Sequence, residues 1–251
     1  MAQEFDDHFG AVSRQYVESR PTYPEALFAW LAAQSPGLDL AWDCGAGSGQ
    51  ASLALADHFA RVVATDASAS QLSQARAHPR VTYRVAPAEQ SRLAERSVSL
   101  ITVAQALHWF PLDAFYAEAR RVLRPDGLIA AWTYAAFVLD HPAADALVRE
   151  FHYETIGAWW PPERAHVETG YRSLPFPFTR VEPPTCHMVS RWTLAQVLGY
   201  LRSWSATARY VAAHRRDPVD DLERRLRDVW GDPAGRMTVE WPLTVLVGVV
   251  S

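Results

Sequence analysis

The chain contains no lysine: all 24 basic side chains among its 251 residues are arginine. That excludes Schiff-base chemistry on lysine and a phosphate-binding loop ending in Gly-Lys-Ser/Thr. Cysteine is nearly absent too. Cys44 and Cys186 make neither a disulfide framework nor a metal quartet, and Cys44 falls in an apolar run where a small hydrophobe is the default. Positive charge is in deficit, with 28 acidic side chains and a net charge of −4. A protein that tracks a nucleic-acid backbone through a basic face is therefore not expected. No apolar run reaches the roughly 18–20 residues of a membrane helix, so no membrane partner is expected. The acidic opening, Met1 to Asp7, lacks the basic and apolar regions of a secretion signal, and a cytoplasmic location is the expectation. His141, His152, His166 and His187 show no ligand spacing with a carboxylate, so no metal is expected.

What is present is an ordinary globular composition, 49% hydrophobic, with ten tryptophans. Short apolar runs alternate with helical patterns through the first half. Residues 38–44 read as a buried strand, and Ala51 to Phe59 as a helix after a glycine turn. Val62 to Asp66 is a second strand, and Ser68 is placed to cap a helix through Leu72 and Ala75. Val81–Val85 and Val98–Ala104 read as further strands. Pro111 opens a helix with Phe115, Ala119, Val122 and Leu123 on its apolar face. Pro125-Asp126-Gly127 signals a turn before a strand over 128–132. This alternation predicts an α/β fold with a doubly wound, mostly parallel sheet. From about residue 137 the alternation stops and prolines and aromatics thicken, with helices expected at 141–158, 193–208 and 218–230. An apolar run over 243–250 then reads as a strand returning to the sheet. The expected division is a core over 1–136, a helical lid inserted over 137–236, and a closing strand over 237–251.

The chemistry begins at Asp43-Cys44-Gly45-Ala46-Gly47-Ser48-Gly49. A strand that ends in a glycine turn lets a ligand approach the backbone in the crevice at the strands' carboxyl ends. Asp66 ends the next strand, where a carboxylate can take hydrogen bonds from a ribose diol. A dinucleotide fingerprint would need its third glycine at position 50, which is Gln50. Asp43 would repel a pyrophosphate but suits a cation, so S-adenosylmethionine, with its sulfonium and amino group, fits the pattern better.

With these motifs the sequence resembles the class I S-adenosylmethionine-dependent methyltransferases. The core motifs cover roughly residues 38–134. Gln105-Ala-Leu-His-Trp109, the leader Tyr16 to Pro24 and the later Trp192 to Ser205 are similar to the type 11, trans-aconitate methyltransferase-like group. The resemblance implies a seven-stranded Rossmann-like sheet. It implies cofactor contacts at Asp43, Gly45, Ala46, Gly47, Gly49, Asp66, Ala67, Ala88, Glu89 and Ala104. A leader that closes over the methionine end would add Tyr16 and Arg20. Pro87 stands where many relatives carry an aspartate that accepts from the adenine amino group, which leaves that contact to other residues. The aspartate in Pro125-Asp126-Gly127, where relatives more often carry a second glycine, reads as neutral.

Methyl transfer is an in-line displacement, so most of the catalysis is positioning, and a base is needed only if the nucleophile carries a proton. His108, at the end of the fourth strand, is the candidate catalytic base. Trp109, Trp159, Trp160, Tyr200 and Trp204 are the candidate walls of an acceptor pocket. The expected activity is O-methylation of a carboxylate or hydroxyl on a small molecule, by a monomer or homodimer. Two other readings stay open: a protein that binds S-adenosylmethionine or a nucleoside without turnover, and a nicotinamide-dependent oxidoreductase.

Overall fold

The computed structural model describes residues 21–250. Its strands are β1 (Leu40–Cys44), β2 (Arg61–Asp66), β3 (Val81–Val85), β4 (Val98–Ala104), β5 (Leu123–Thr133), β6 (Val138–Leu139), β7 (Thr179–Val181), β8 (Cys186–Thr193) and β9 (Arg236–Val249). The chain groups into two compact units. One comprises Thr22–Tyr134, Ala165–His187 and the residues from Leu243; the other comprises Ala135–Arg164 and Met188–Pro242. The insertion expected over 137–236 is therefore divided. Residues 165–187 belong with the core, and the closing strand starts at Arg236 and lends its first residues to the second unit.

In the core unit the strand order is β3-β2-β1-β4-β5-β9, with β7 also on β9. The first five strands run parallel, and β9 runs antiparallel to both β5 and β7. These seven strands form the mostly parallel sheet read from the sequence. Strand order reverses between β1 and β4, which opens a crevice at their carboxyl ends. β1 is buried at every residue and β4 at all but its last, as strands covered on both faces must be. Leu27, Phe28 and Leu31 of the helix Glu25–Gln34 cover one side together with Leu55 and Ala56, and all are essentially inaccessible. Trp132 meets Tyr23 and Phe28 edge to face at centroid distances of 5.3 and 5.9 Å. Phe115, Ala119 and Val122 of the helix Leu112–Val122 are fully buried, as the spacing predicted.

Two local expectations are corrected. Residues 125–127 do not separate two elements. They lie inside β5 as an irregularity, with Asp126 at φ 60° and a register shift opposite Val98 and Leu100. The helix after Ser68 lasts only Ala69–Leu72. Ser68 caps it as expected, but the Ser73 hydroxyl and the Gln74 side chain both turn back to the Ser70 carbonyl, a local competition that favours turns over helix.

The second unit is helical, with Pro142–Glu150, Leu194–Arg202, Ser205–His214 and Val219–Trp230 joined by β6, most of β8 and the start of β9. A capping box of Thr193 and Gln196 starts the second of these. A single π-helical turn, Phe151–Thr155, extends the first. Among the described residues no helix is long and apolar enough to cross a membrane.

One buried acid fixes the loop that follows β3. Glu118, 9% exposed, accepts from the backbone N–H and hydroxyl of Ser91 and from Arg121, which also donates to the Leu93 carbonyl. Hydrogen bonding to Arg121, more than any other cause, holds the Glu118 carboxyl below its ordinary 4.5. Glu118→Ala should cost about 3 kcal/mol at neutral pH, because it also orphans the Ser91 N–H. A carboxyl with a depressed pKa stabilises above its unfolded value and loses that contribution as it takes up its proton. Urea unfolding of wild type and variant should therefore converge as the pH falls below 4.5.

Candidate functional site

The glycine loop is tied to the end of β2 from both sides. The N–H groups of Gly45 and Ala46 donate to the Thr65 carbonyl at 2.8 and 3.0 Å. Asp66 accepts from the Gly47 N–H at 2.8 Å through one oxygen and from the Ser68 N–H at 2.8 Å through the other. Each carboxylate oxygen has two lone pairs, so Asp66 can serve the loop and still accept from a diol. Trp42 Nε1 donates to the Thr65 hydroxyl at 2.8 Å, which steadies the strand beneath.

Gly45 and Gly49 are required where they stand. Both have φ in the left-handed region, at 70° and 82°. A Cβ on Gly45 would come within 2.5 Å of Ala106, and one on Gly49 within 2.5 Å of the Tyr83 hydroxyl. By contrast, a Cβ on Gly47 would meet nothing closer than Gln71 at 3.9 Å. The loop is thus packed at its two ends and open in its middle.

Asp43 occupies a different place from the one its motif suggests. It was expected to face the cation of a ligand, but it has no exposed surface, and its two oxygens accept from Ser52 at 2.5 Å and Thr102 at 2.9 Å. Burial is the main cause lifting its carboxyl from 3.8 to about 6, opposed by those hydrogen bonds and reinforced by the charge of Asp66. It lies in the strand directly before the loop, its carboxylate enclosed by Ser52 and Thr102. The field around the loop is negative overall. The Cys44 thiol is pushed up first by burial and then by the charges of Asp43, Asp66 and Glu89. Three carboxylates around one glycine loop favour a cationic ligand and oppose a pyrophosphate.

The remaining candidates fall in several places. Ala67 and Glu89 are exposed, Ala88 is buried, and Ala104 is half-buried at the end of β4. Next to Ala104, Gln105 adopts φ 55°, and its side-chain amide donates to the Tyr134 carbonyl and accepts from Thr133. Strained non-glycine backbone of this kind at a strand end is a common mark of a functional crevice. His108 and Trp109 follow in a 3₁₀ turn, their rings 4.8 Å apart, with Trp109 37% exposed. Nδ1 of His108 lies 2.9 Å from the hydroxyl of Tyr171. Tyr171 carries no motif and was not singled out in the sequence; only the glycine before it hints at special backbone. Tyr16 and Arg20 lie outside the described residues.

In the second unit, Trp160 and Trp204 flank His152 and each other, and Tyr200 meets Trp204 edge to face, with ring separations of 5.1 to 5.8 Å. Phe137, Trp192 and Trp241 join through Tyr200. Trp192, Tyr200 and Trp241 are buried, and Trp160 and Trp204 are half-buried. Trp159 stands apart against Tyr210 and His214. Among the described residues no three His, Cys, Asp or Glu side chains gather to hold a metal.

Residues 42–131 match a family described as the methyltransferase domain. A protein of Dictyostelium discoideum named as a methyltransferase is 36% identical over 226 residues, covering 89% of this chain and 86% of that protein. A solved structure described as a type II methyltransferase from Anaeromyxobacter dehalogenans is 47% identical, with a TM-score of 0.87, and covers 92% of this chain and 97% of that one. An uncharacterized methyltransferase of Mycobacterium tuberculosis is 35% identical over 178 residues, 69% of this chain and 67% of that protein.

The buried acid gives a direct test. A displacement from 3.8 to about 6 costs the folded state about 3 kcal/mol while Asp43 is ionised. Because the folded pKa is raised, stability is fully present below 3.8 and lost as the pH rises through about 6. Asp43→Asn should therefore melt no lower than wild type at about pH 7.5 and lose its relative advantage on acidification toward pH 4. A variant that melts lower by the same margin at every pH would contradict this account.

Proposed function

The chain belongs to the class I S-adenosylmethionine-dependent methyltransferases, and from that premise we propose that it transfers the methyl group of S-adenosylmethionine to a small molecule. The preferred chemistry is O-methylation of a carboxylate or a hydroxyl. The observation that carries the reading is the glycine crevice at the β1–β4 switch point, with Asp66 at its rim and the carboxylates of Asp43 and Glu89 nearby. Asp66 has the acceptor capacity for the ribose hydroxyls, and the open middle of the loop at Gly47 leaves room for the rest of the ligand. Ala88 and Glu89 lie on the loop held by Glu118, where the adenine is expected. With no aspartate at position 87, adenine recognition falls to the backbone of Ala88 and to Glu89.

Bound S-adenosylmethionine supplies a methyl group already activated by its sulfonium. The protein's residues then need to hold an acceptor in line and exclude water, and positioning of that kind is worth roughly 7–11 kcal/mol. His108 serves a hydroxyl acceptor as a base and a carboxylate acceptor as a hydrogen-bonding guide. Within the second unit, Trp160 and Trp204 present half-buried apolar faces of the kind that suits a planar ring.

A thermal-shift assay tests the cofactor. S-adenosylmethionine and S-adenosylhomocysteine should each stabilise the protein, by about 2.7 kcal/mol at a hundredfold excess over Kd. NAD should not, and stabilisation by NAD alone would overturn the proposal. Asp66→Ala should weaken both adenosyl ligands at least tenfold, about 1.4 kcal/mol. Turnover is read separately, by release of S-adenosylhomocysteine against panels of carboxylic acids, phenols and amines. A thermal shift with no release from any panel favours a binding protein.

A further inference from the structure

β4 ends at Ala104, opposite Trp132, but its attachment to β5 continues past that point. The Gln105 N–H donates to the Trp132 carbonyl at 2.9 Å. Beyond it the Gln105 side chain takes over from the backbone. Its amide nitrogen donates to the Tyr134 carbonyl at 2.8 Å, and its amide oxygen accepts from the Thr133 hydroxyl at 2.6 Å. A carbonyl only accepts, so the amide has one workable orientation, and both of its partners are buried. A single residue thus binds three consecutive residues at the end of β5, and the main chain is free to turn off the sheet. It turns with Gln105 at φ 55°, a left-handed conformation that any side chain with a Cβ resists. The turn lands on the glycine loop. The Ala106 methyl lies 2.5 Å from where a Cβ on Gly45 would stand, and the Phe110 ring follows at 3.0 Å. The Ala106 carbonyl also accepts from the Trp109 N–H at 3.0 Å, which closes the 3₁₀ turn Leu107–Trp109.

We propose that Gln105 is a positioning residue for the cofactor: its amide clamps the turn at the end of β4, and the clamped turn holds Ala106 against Gly45. Released from Thr133 and Tyr134, residue 105 would relax toward right-handed or extended backbone and carry Ala106 away from the loop. The loop after β1 is thereby braced from both neighbouring strands. On the β2 side the Thr65 carbonyl and Asp66 hold it by hydrogen bonds. On the β4 side the Gln105 turn holds it by packing. Gln105 acts through Ala106 and takes no part in the transfer itself. That the braced loop receives S-adenosylmethionine rests on the proposed function. The brace does not, and it can be measured on the chain alone.

The test is amide hydrogen exchange by NMR on the ¹⁵N-labelled full chain, with S-adenosylhomocysteine affinity measured by calorimetry on the same samples. Gln105→Gly removes the amide and the resistance to φ 55° together. In that variant the N–H groups of Gly45, Ala46 and Trp109 should speed up about tenfold more than those of Val63 and Ala64 in β2. S-adenosylhomocysteine should bind about tenfold more weakly. A merely structural role would lower stability throughout and speed all five amides alike. That result, or acceleration confined to Trp109 with Gly45 and Ala46 unmoved, overturns the clamp. Faster exchange in the loop with unaltered affinity refutes the role in cofactor binding. If Gln105→Gly does not fold, Gln105→Glu keeps the side-chain length and the contact with Thr133 but loses the donor to Tyr134. The same pattern is expected there, and unmoved amides at Gly45 and Ala46 count against the proposal. Wild type that binds neither S-adenosylmethionine nor S-adenosylhomocysteine would refute the cofactor role with the proposed function, and the exchange pattern alone would still decide the clamp.

Discussion

The whole crevice hangs on the end of β2. There the Thr65 carbonyl and the Asp66 carboxylate together accept four backbone N–H groups, three from the glycine loop and one from Ser68. A glycine loop has no side chains with which to hold its shape, and its backbone is entropically the most costly to order. The four bonds do that work from the neighbouring strand. Under the proposed function the acid that shapes the loop is also the one that would hold a ribose, so the site's architecture and its chemistry would share a residue. Any change at Asp66 disturbs both at once.

Negative charge around this loop has a cost and a use. Asp43 sits without access to water, near the carboxyl end of a strand covered on both faces, and two hydroxyls from different elements satisfy it incompletely. A core built for stability alone would place a neutral group there. Under the proposed function, a positive charge above the loop would offset part of the cost of keeping this carboxylate ionised. This electrostatic logic separates a sulfonium ligand from a dinucleotide more sharply than the spacing of the glycines does.

Much of the core was legible because its signals are local. A buried strand, a glycine turn, a capped helix and an acid at the next strand end all lie within about thirty residues, each with its own chemical mark. The burial of Asp43 was not legible. In a strand covered on both faces alternation does not say which way a residue points, and its partner Thr102 is 59 residues away. Tyr171 was hidden for the same reason, since its partner is 63 residues distant and a left-handed tyrosine follows no propensity. Residues 165–187 carry no period, and the one strand that lies wholly within them has three residues, so their membership of the core unit could not be read from pattern. Among the tryptophans, sequence pattern could not separate those that fill a core, such as Trp241, from the partly open Trp160 and Trp204.

The position of β9 shapes how the protein comes to be folded at all. β5 pairs with β4 as soon as both exist, but its other edge waits for a strand more than a hundred residues downstream, where Leu128 meets Val249. β7 waits for the same strand, through Thr179 and Val249. During synthesis the core sheet therefore stands with an open, hydrophobic edge while the helices of residues 142–230 are being made. Such edges recruit other chains, and pairings this distant in sequence close slowly. Kinetically, the nascent chain passes through a half-sheet that already carries the glycine loop but has no seal on its flank. This late-arriving strand also carries Thr244 against Gly170, so the turn before Tyr171 is set last.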